Sequence, residues 1–336
     1  MAHIYGIDLG TSYLKMFSAS SNHIINERNV VAIVNKEDVY AFGNEAYEMY
    51  EKAPDYIDIT FPIKNGVITD IDDVEMLLMC FQEKINHGKI IYNGDYCICV
   101  PTDITDVEKR AFYDLIYESR LKSRHVYVVE KPIADAVGCG VDVLTRKGAM
   151  IVNVGADTTE ITVVSQGGIV VSKLIKVGGR YLDESICHIV KKHHHVAIGL
   201  KTAEQLKIKL SHAKAASETT ERFYGINMVN GLPKAVEISS TLIYIAIQEA
   251  LHSICACTKV MSERIPPEIA ADIRQTGLYL VGGSSRIPGF NKLLEEECGL
   301  KVNMIKRPEE SAIIGISRII KNKPMHKLMY MPQTKD

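Results

Sequence analysis

The chain reads as an α/β protein built from two related domains. Three observations predict this. One strand–turn–strand pattern occurs twice, its copies starting at Ile7 and Val152, 145 positions apart. After each copy, strand-like and helix-like segments alternate, which implies parallel strands covered by helices. The length of 336 residues suits two domains, each large enough to bury a core.

The first copy is Ile7-Asp8-Leu9-Gly10-Thr11-Ser12 running into Tyr13-Leu14-Lys15-Met16-Phe17. The second is Val152-Asn153-Val154-Gly155-Ala156-Asp157 running into Thr158-Thr159-Glu160-Ile161-Thr162-Val163-Val164. Each is an apolar strand, an acidic or amide residue, a small turn with Gly, then an alternating strand, which is a tight β-hairpin pattern. Gly and small polar residues let backbone N–H groups converge on an anion. Two such hairpins are suited to clamp one polyphosphate between two domains. A third element, the strand Leu278-Tyr279-Leu280-Val281 followed by Gly282-Gly283-Ser284-Ser285, leads into Arg286-Ile287-Pro288-Gly289-Phe290 at a helix start. A Gly turn there lets a flat ring or a phosphate approach the backbone, and a helix N-terminus favours negative charge.

In chain order, the first domain opens with strands near 4–10, 13–19, 22–26, 30–34 and 39–43, and an insert reaches about Phe61. Val74, Leu77, Leu78 and Phe81 at helical spacing predict a helix over 72–86. Strand 95–100, helix 106–119 and strand 125–130 follow. Lys131 to Val141 reads as a crossing helix with Pro132 early, where helix starts prefer it. The second domain repeats the scheme with strands near 149–154, 160–166 and 169–176 and helices 179–193 and 202–212. A β-rich insert covers 218–238, with Asn230-Gly231 as its turn, and a long helix covers 240–263. The last helix is expected over 308–321. Residues from Asn322 onward show no periodicity and read as a frayed tail.

Bulk properties exclude several classes. Hydrophobic content of 46% and charged content of 24% are ordinary for a globular chain. The formal net charge of −2 implies no general attraction to nucleic acid. No run of about 18 apolar residues marks a transmembrane helix, and no signal peptide is visible before the strand at Ile4. The eight Cys are scattered without a CxxC pair and read as reduced thiols in cores. His193-His194-His195 beside Lys191 and Lys192 is either a solvated helix end or a metal-catching cluster.

The two hairpins and the Gly282-Gly283 turn, in this order, resemble the nucleotide motifs of actin-like ATPases, and most closely those of the bacterial shape-determining MreB/Mbl group. The likeness runs from about Ile4 to Ile320. It includes the blocks starting at Asn26, Gly66, Val100, Glu130, Val177 and Lys201, such as Glu130-Lys131-Pro132-Ile133-Ala134-Asp135-Ala136 and Lys201-Thr202-Ala203-Glu204-Gln205-Leu206-Lys207. The resemblance implies an actin-like fold with two related domains, each a mixed sheet flanked by helices, and a nucleotide cleft between them. Domain I would cover 1–140, with a small insert at about 30–62 and the helix 308–321 returning to it. Domain II would cover 141–322, with an insert at about 179–240, and 323–336 would be a tail. ATP and Mg²⁺ are the implied cofactors.

The resemblance also places the site residues. Asp8 and Asn153 would contact Mg²⁺ through water, as Mg²⁺ keeps several waters when it binds phosphates. Thr11, Ser12, Tyr13 and Leu14 would present backbone N–H groups to the terminal phosphates. Lys15 stands where MreB proteins carry an apolar residue and actin a lysine; it is either a point charge on a phosphate or a solvated strand lysine. Gly155, Ala156, Asp157 and Thr158 form the second turn, where MreB proteins read Asp-Ile-Gly-Gly-Gly-Thr. Asn153 thus loses a charge and Asp157 gains one; Asp157 either acts through the metal, repels the nucleotide, or points outward. Glu204, Gln205, Leu206 and Lys207 would contact ribose and adenine. Gly282, Gly283, Ser284, Ser285 and Arg286 would close over the adenosine.

Lys131 is the sharpest departure. The family places a water-activating glutamate there, and a charged lysine cannot take a proton from water. Glu130 survives one position earlier, on a different side of the backbone, and either it or a neighbour substitutes or the role is lost; Thr158 keeps the second water-positioning role. The expectation is retained binding with slow ATP hydrolysis, since phosphoryl transfer relies on positioning and charge.

The implied function is an ATP-binding actin homologue that polymerises into membrane-associated filaments and organises cell-wall synthesis to set cell shape. Its partners would be copies of itself, the inner face of the cell membrane and membrane proteins of wall elongation, with no nucleic acid. It would be cytoplasmic and peripheral to the membrane. Ile90, Ile91 and Tyr92, between Gly88 and Gly94, read either as a membrane-inserting finger or as loop residues folded onto the domain. The apolar tail residues are a second, weaker anchor candidate. Two other readings stand beside this one: a non-polymerising adaptor of pilus or division type, and a small-metabolite kinase of the same superfamily.

Overall fold

The computed structural model describes residues 3–35, 38–215 and 218–332. By contact the chain forms two compact units. Unit 1 comprises Met1–Lys147, Val164–Ser172 and Glu309–Asp336; unit 2 comprises Gly148–Val163 and Lys173–Pro308.

Unit 1 contains β1 (Ile4–Leu9), β2 (Tyr13–Ser18), β3 (His23–Arg28), β4 (Val31–Val34), β5 (Asp38–Phe42), α1 (Gly43–Met49), β6 (Ile57–Thr60), β7 (Ile63–Lys64), β8 (Val67–Ile68), α2 (Ile71–Ile85), β9 (Asp95–Val100), α3 (Asp106–Tyr117), β10 (His125–Glu130) and α4 (Lys131–Gly138). Its main sheet has the order β10-β9-β1-β2-β3. The β1–β2 and β2–β3 pairs are antiparallel, and β9 runs parallel to both β1 and β10. Helix α2 buries Val74, Leu77, Leu78, Phe81 and Ile85 on one face, and Asp70 caps its start by accepting from the Asp73 N–H. Thr105 and Glu108 form a reciprocal capping box at α3. The insert folds as a small sheet β5-β4-β6 with its own core of Val30, Ala32, Ala41, Ala46 and Ile57.

The remaining elements are β11 (Ala149–Val154), β12 (Thr159–Ser165), β13 (Gly168–Ile175), α5 (Gly179–His194), β14 (Val196–Ala197), α6 (Leu200–Leu210), β15 (Thr220–Asn227), β16 (Pro233–Ser239), α7 (Ser240–Glu263), α8 (Pro267–Thr276), β17 (Leu278–Val281), α9 (Phe290–Cys298), β18 (Val302–Met304) and α10 (Ser311–Lys321). The second sheet has the order β13-β12-β11-β17-β18, with β17 parallel to β11 and β18. It repeats the strand order of the first sheet, β3-β2-β1-β9-β10, so the sequence repeat is also a repeat of topology. Helix α7 is long and apolar enough to cross a membrane by length and composition. Leu242, Ile243, Ile247, Ala250, Leu251 and Ile254 are nevertheless buried, which makes it a core helix of this protein.

Helix α10 belongs to unit 1. It packs against α4 at Gly315, where any side chain would collide with the Ala134 carbonyl. Ser311 Oγ donates to buried Asp135 at 2.6 Å, and Arg318 donates to the carbonyls of Val137 and Gly138. The Arg318 bonds satisfy carbonyls at the end of α4, which a helix C-terminus otherwise leaves open.

The tail corrects the expectation of a frayed end. Residues 323–328 form a short 3-10 segment, Leu328 is buried, and Tyr330 bridges Val128 of β10. The Val128 N–H donates to the Tyr330 carbonyl at 2.8 Å, and the reverse bond is 3.0 Å. The physical reason is the open edge of β10, whose unpaired backbone groups recruit an extended segment. Residues 333–336 lie outside the described residues.

Candidate functional site

On unit 1 the site begins with register. The β1–β2 pairing sets Asp8 opposite Lys15, and the β1–β9 pairing sets Asp8 beside Cys99. The turn closes with the Gly10 N–H donating to the Tyr13 carbonyl at 3.1 Å. A Cβ at Gly10 would sit 2.9 Å from that same oxygen, so the turn needs glycine. Leu14 is fully buried, whereas Thr11, Ser12 and Tyr13 reach solvent.

Asp8 is 1% exposed and carries two cations. Lys15 Nζ lies 2.7 Å from Oδ2, and Lys131 Nζ lies 3.3 Å from Oδ1. The Cys99 thiol donates to Oδ1 at 3.4 Å. Burial pushes the Asp8 carboxyl up, but Lys131, Lys15 and the Cys99 bond outweigh it and hold it well below the ordinary carboxylate range. Lys15 is therefore a buried, paired lysine rather than a solvated one. Lys131 opens α4 and turns toward Asp8. Glu130 faces other partners: its Oε1 accepts from Lys109 Nζ and from the Tyr330 hydroxyl, each at 3.1 Å.

On unit 2 the second turn repeats the first. The Gly155 N–H donates to the Thr158 carbonyl at 2.9 Å, and a Cβ at Gly155 would meet that oxygen at 3.0 Å. Asp157 is buried, and Arg180 Nε donates to its Oδ1 at 2.9 Å. The start of α5 rests on the turn: Gly179 N–H donates to the Gly155 carbonyl at 3.0 Å and Arg180 N–H to the Ala156 carbonyl at 2.7 Å. Ser284 Oγ donates to the Gly155 carbonyl at 3.1 Å, so the Gly282–Arg286 turn joins the same cluster. Asn153 pairs in register with Val281, immediately before Gly282.

Lys207 of α6 reaches this cluster too. Its Nζ donates to the Gly179 carbonyl at 2.8 Å and lies 2.7 Å from Asp183 Oδ1. Burial pushes the Asp183 carboxyl up to about 6, outweighing Lys207, and Glu204 adds to the rise. Leu206 is fully buried in the core, while Gln205, Gly283 and Arg286 are exposed.

The candidate membrane loop is partly folded onto unit 1. Ile90 packs against the core. Gln82 clamps Ile91, donating to its carbonyl at 2.6 Å and accepting from its N–H at 3.1 Å. Tyr92 is the exposed member, 51% accessible, with Lys122 Nζ 5.9 Å from its ring centre.

Three residues of the site were missed by sequence reasoning. Asn29 is buried and donates from Nδ2 to the Gly10 carbonyl at 2.7 Å, while its N–H donates to the Ser12 carbonyl at 3.0 Å. It holds the first turn closed from β3's end; its signal was its place in the block beginning at Asn26. Arg180 and Asp183 follow Val177-Gly178-Gly179 on the opening turns of α5, and that block was their only signal.

The fit to a divalent cation is poor. Both oxygens of Asp8 face ammonium groups, Asn153 is neutral, and Asp157 is paired with Arg180. Among the described residues, no group of three or more His, Cys, Asp and Glu comes together as a metal site.

Comparison with known proteins agrees with the topology. A family profile described as MreB/Mbl protein matches residues 2–328. The cell shape-determining protein Mbl of Bacillus subtilis is 34% identical over 94% of this chain and 95% of its own. The cell shape-determining protein MreB of Escherichia coli K12 is 32% identical over 95% of this chain and 94% of its own. Among solved structures, MreB5 of Spiroplasma citri bound to AMPPNP aligns with a TM-score of 0.90 at 28% identity, covering 97% of this chain and 98% of that one. A MamK double helical filament aligns at 0.76 and 22% identity, covering 96% and 99%, and supports the fold alone. The chain belongs to the MreB/Mbl family and has the actin-like fold.

Proposed function

We propose that this chain binds ATP and polymerises, as a cytoskeletal filament that sets cell shape from the inner face of the membrane by organising wall synthesis. The observation that carries the nucleotide reading is the doubled turn, closed by the same backbone bond at Gly10 and at Gly155. Spiroplasma citri MreB5 has been solved with AMPPNP and with ADP, which supports the reading. The amides of Thr11 to Leu14 and of Gly155 to Thr158 would receive phosphates. Glu204, Lys207 and Asp183 would meet the ribose, and Gly282 to Arg286 the base. Thr158 would position the attacking water, with Lys131 making hydrolysis slow. Titration calorimetry with ATP tests this; no heat of binding, with or without Mg²⁺, would refute it.

Membrane association is proposed through loop 87–94, with Tyr92 and Ile91 as its apolar contribution and Ile90 supporting them from the core. One short loop inserts weakly, so it acts through many subunits of a polymer. Ile91→Ser with Tyr92→Ser should release the protein from anionic vesicles while polymerisation continues. Unchanged co-sedimentation with vesicles would remove the loop from the account.

A further inference from the structure

The carboxylates that a divalent cation would need are each missing or already committed. In unit 1, Asp8 is buried between Lys15 at 2.7 Å and Lys131 at 3.3 Å. One carboxylate and two ammonium groups leave that cluster with a net positive charge. In unit 2, Asn153 is neutral and Asp157 is held by Arg180 at 2.9 Å. Each departure removes a reason for a metal to bind, and two of them supply a fixed cation in its place.

We propose that Lys131, with Lys15 holding Asp8, takes over the charge-neutralising role of the divalent cation, so that this chain binds its nucleoside polyphosphate without a metal. The inference rests on the nucleotide reading above and deepens it. Lysine suits the role: its ammonium is a compact point charge with three donors, and it binds phosphate as a charge rather than a fork. Lys15 alone does not decide the matter, since by resemblance actin carries a lysine there too. Lys131 is the deciding residue. It exchanges a carboxylate for an ammonium next to Asp8, so a dication approaching Asp8 meets two like charges at close range. The Lys131 side chain is 23% exposed, so its ammonium can reach a phosphate without leaving a deeply buried carboxylate unpaired. Lys15 remains as Asp8's partner when it does.

Displacement of a fluorescent ATP analogue by ATP, in EDTA and in Mg²⁺ at matched ionic strength, tests the proposal. The two dissociation constants are expected to agree within about threefold. Loss of more than about tenfold in EDTA, restored by Mg²⁺, overturns it while leaving nucleotide binding intact. Absence of binding in both buffers overturns the nucleotide reading and this one together. Lys131→Glu returns a carboxylate beside Asp8 and is expected to make binding metal-dependent, weakening it by about tenfold or more in EDTA alone. Lys131→Gln removes the charge without adding a carboxylate and is expected to weaken binding in both buffers alike. Metal dependence equal in the parent and Lys131→Glu would show that Lys131 does not stand in for the cation. Should Lys131→Glu fail to fold, the parent and Lys131→Gln comparisons decide the question.

Discussion

Asp8 shows how one register decides a charge environment. The pairing Asp8–Lys15 follows from the hairpin, and α4 brings Lys131 to the same carboxylate. Under the proposed function, that second lysine bears on turnover. Parent phosphate release is expected to be slow, and Lys131→Glu in Mg²⁺ to raise it, because a general base contributes about 10²–10⁴-fold. Single-turnover phosphate release measures this; parent turnover that Lys131→Glu leaves unchanged would point to another water-positioning group. Asn29 gives a second test. Asn29→Ala removes the bond to the Gly10 carbonyl and should cost about 1–3 kcal/mol of stability. It should also weaken ATP binding, because the turn amides lose their fixed aim; unchanged binding would separate the turn from the ligand. Asp183 gives a pH signature. Its folded carboxyl is pushed up to about 6, above its ordinary value, so folding favours its protonated form relative to the unfolded chain. Its contribution is therefore greatest below about pH 4 and is lost as pH rises through about 6. Asp8 acts in the opposite sense and in a lower window, since its depressed carboxyl loses stability only as pH falls below the ordinary range. Melting temperature between about pH 4 and 6 should fall in the parent and stay flatter in Asp183→Asn.

Elements with a strong periodic face were legible, and those fixed by single contacts were not. Helix α2 was readable because Val74, Leu77, Leu78 and Phe81 mark one face, and α7 because its apolar spacing persists for 24 residues. Helix α1 gave no such signal: it is short, begins at Gly43 with φ of +65°, and has no side-chain cap. Helix α8 buries Ile273 alone, so no stripe announces it. The tail was unreadable for a related reason. One residue, Tyr330, pairs with β10, and no alternation accompanies it. The candidate site divides the same way. The two turns were readable from their repeat, whereas the Arg180–Asp157 and Lys207–Asp183 pairs join segments far apart in sequence. The tail also carries a prediction. Removing 329–336 strips two backbone bonds from β10 and takes away one hydrogen-bond donor to Glu130. A loss of about 1–3 kcal/mol is expected. Faster hydrogen exchange at Val128 should accompany it; unchanged protection there would mean that the edge is covered by something else.

At the scale of the whole molecule, one pattern was used twice and then altered. The two main sheets share a strand order, and the two turns share a closing bond, yet Asp8 in one copy matches Asn153 in the other. The repeat preserves the backbone that would receive phosphates while the side chains around it have changed. The repeat does not contain the β15–β16 hairpin of unit 2, where five large apolar side chains are exposed among the described residues. Tyr224 and Ile226 occupy the outward positions of β15, followed by Met228, Val229 and Leu232, with Val229 at 87% accessible. Several exposed apolar side chains on one hairpin are unfavourable unless something covers them. Under the polymerisation proposed above, the covering surface is a second copy of this chain. Val229→Asp with Leu232→Asp places two carboxylates on the hairpin without touching either turn. ATP binding is expected to stay unchanged, and pelleting in high-speed sedimentation with ATP to fall by about tenfold or more, as burying two charges in an apolar contact is strongly disfavoured. Pelleting that persists at the parent level would show that the hairpin lies outside the polymer contact. A parent that never pellets would instead refute the filament proposal, and the hairpin would then need a different partner.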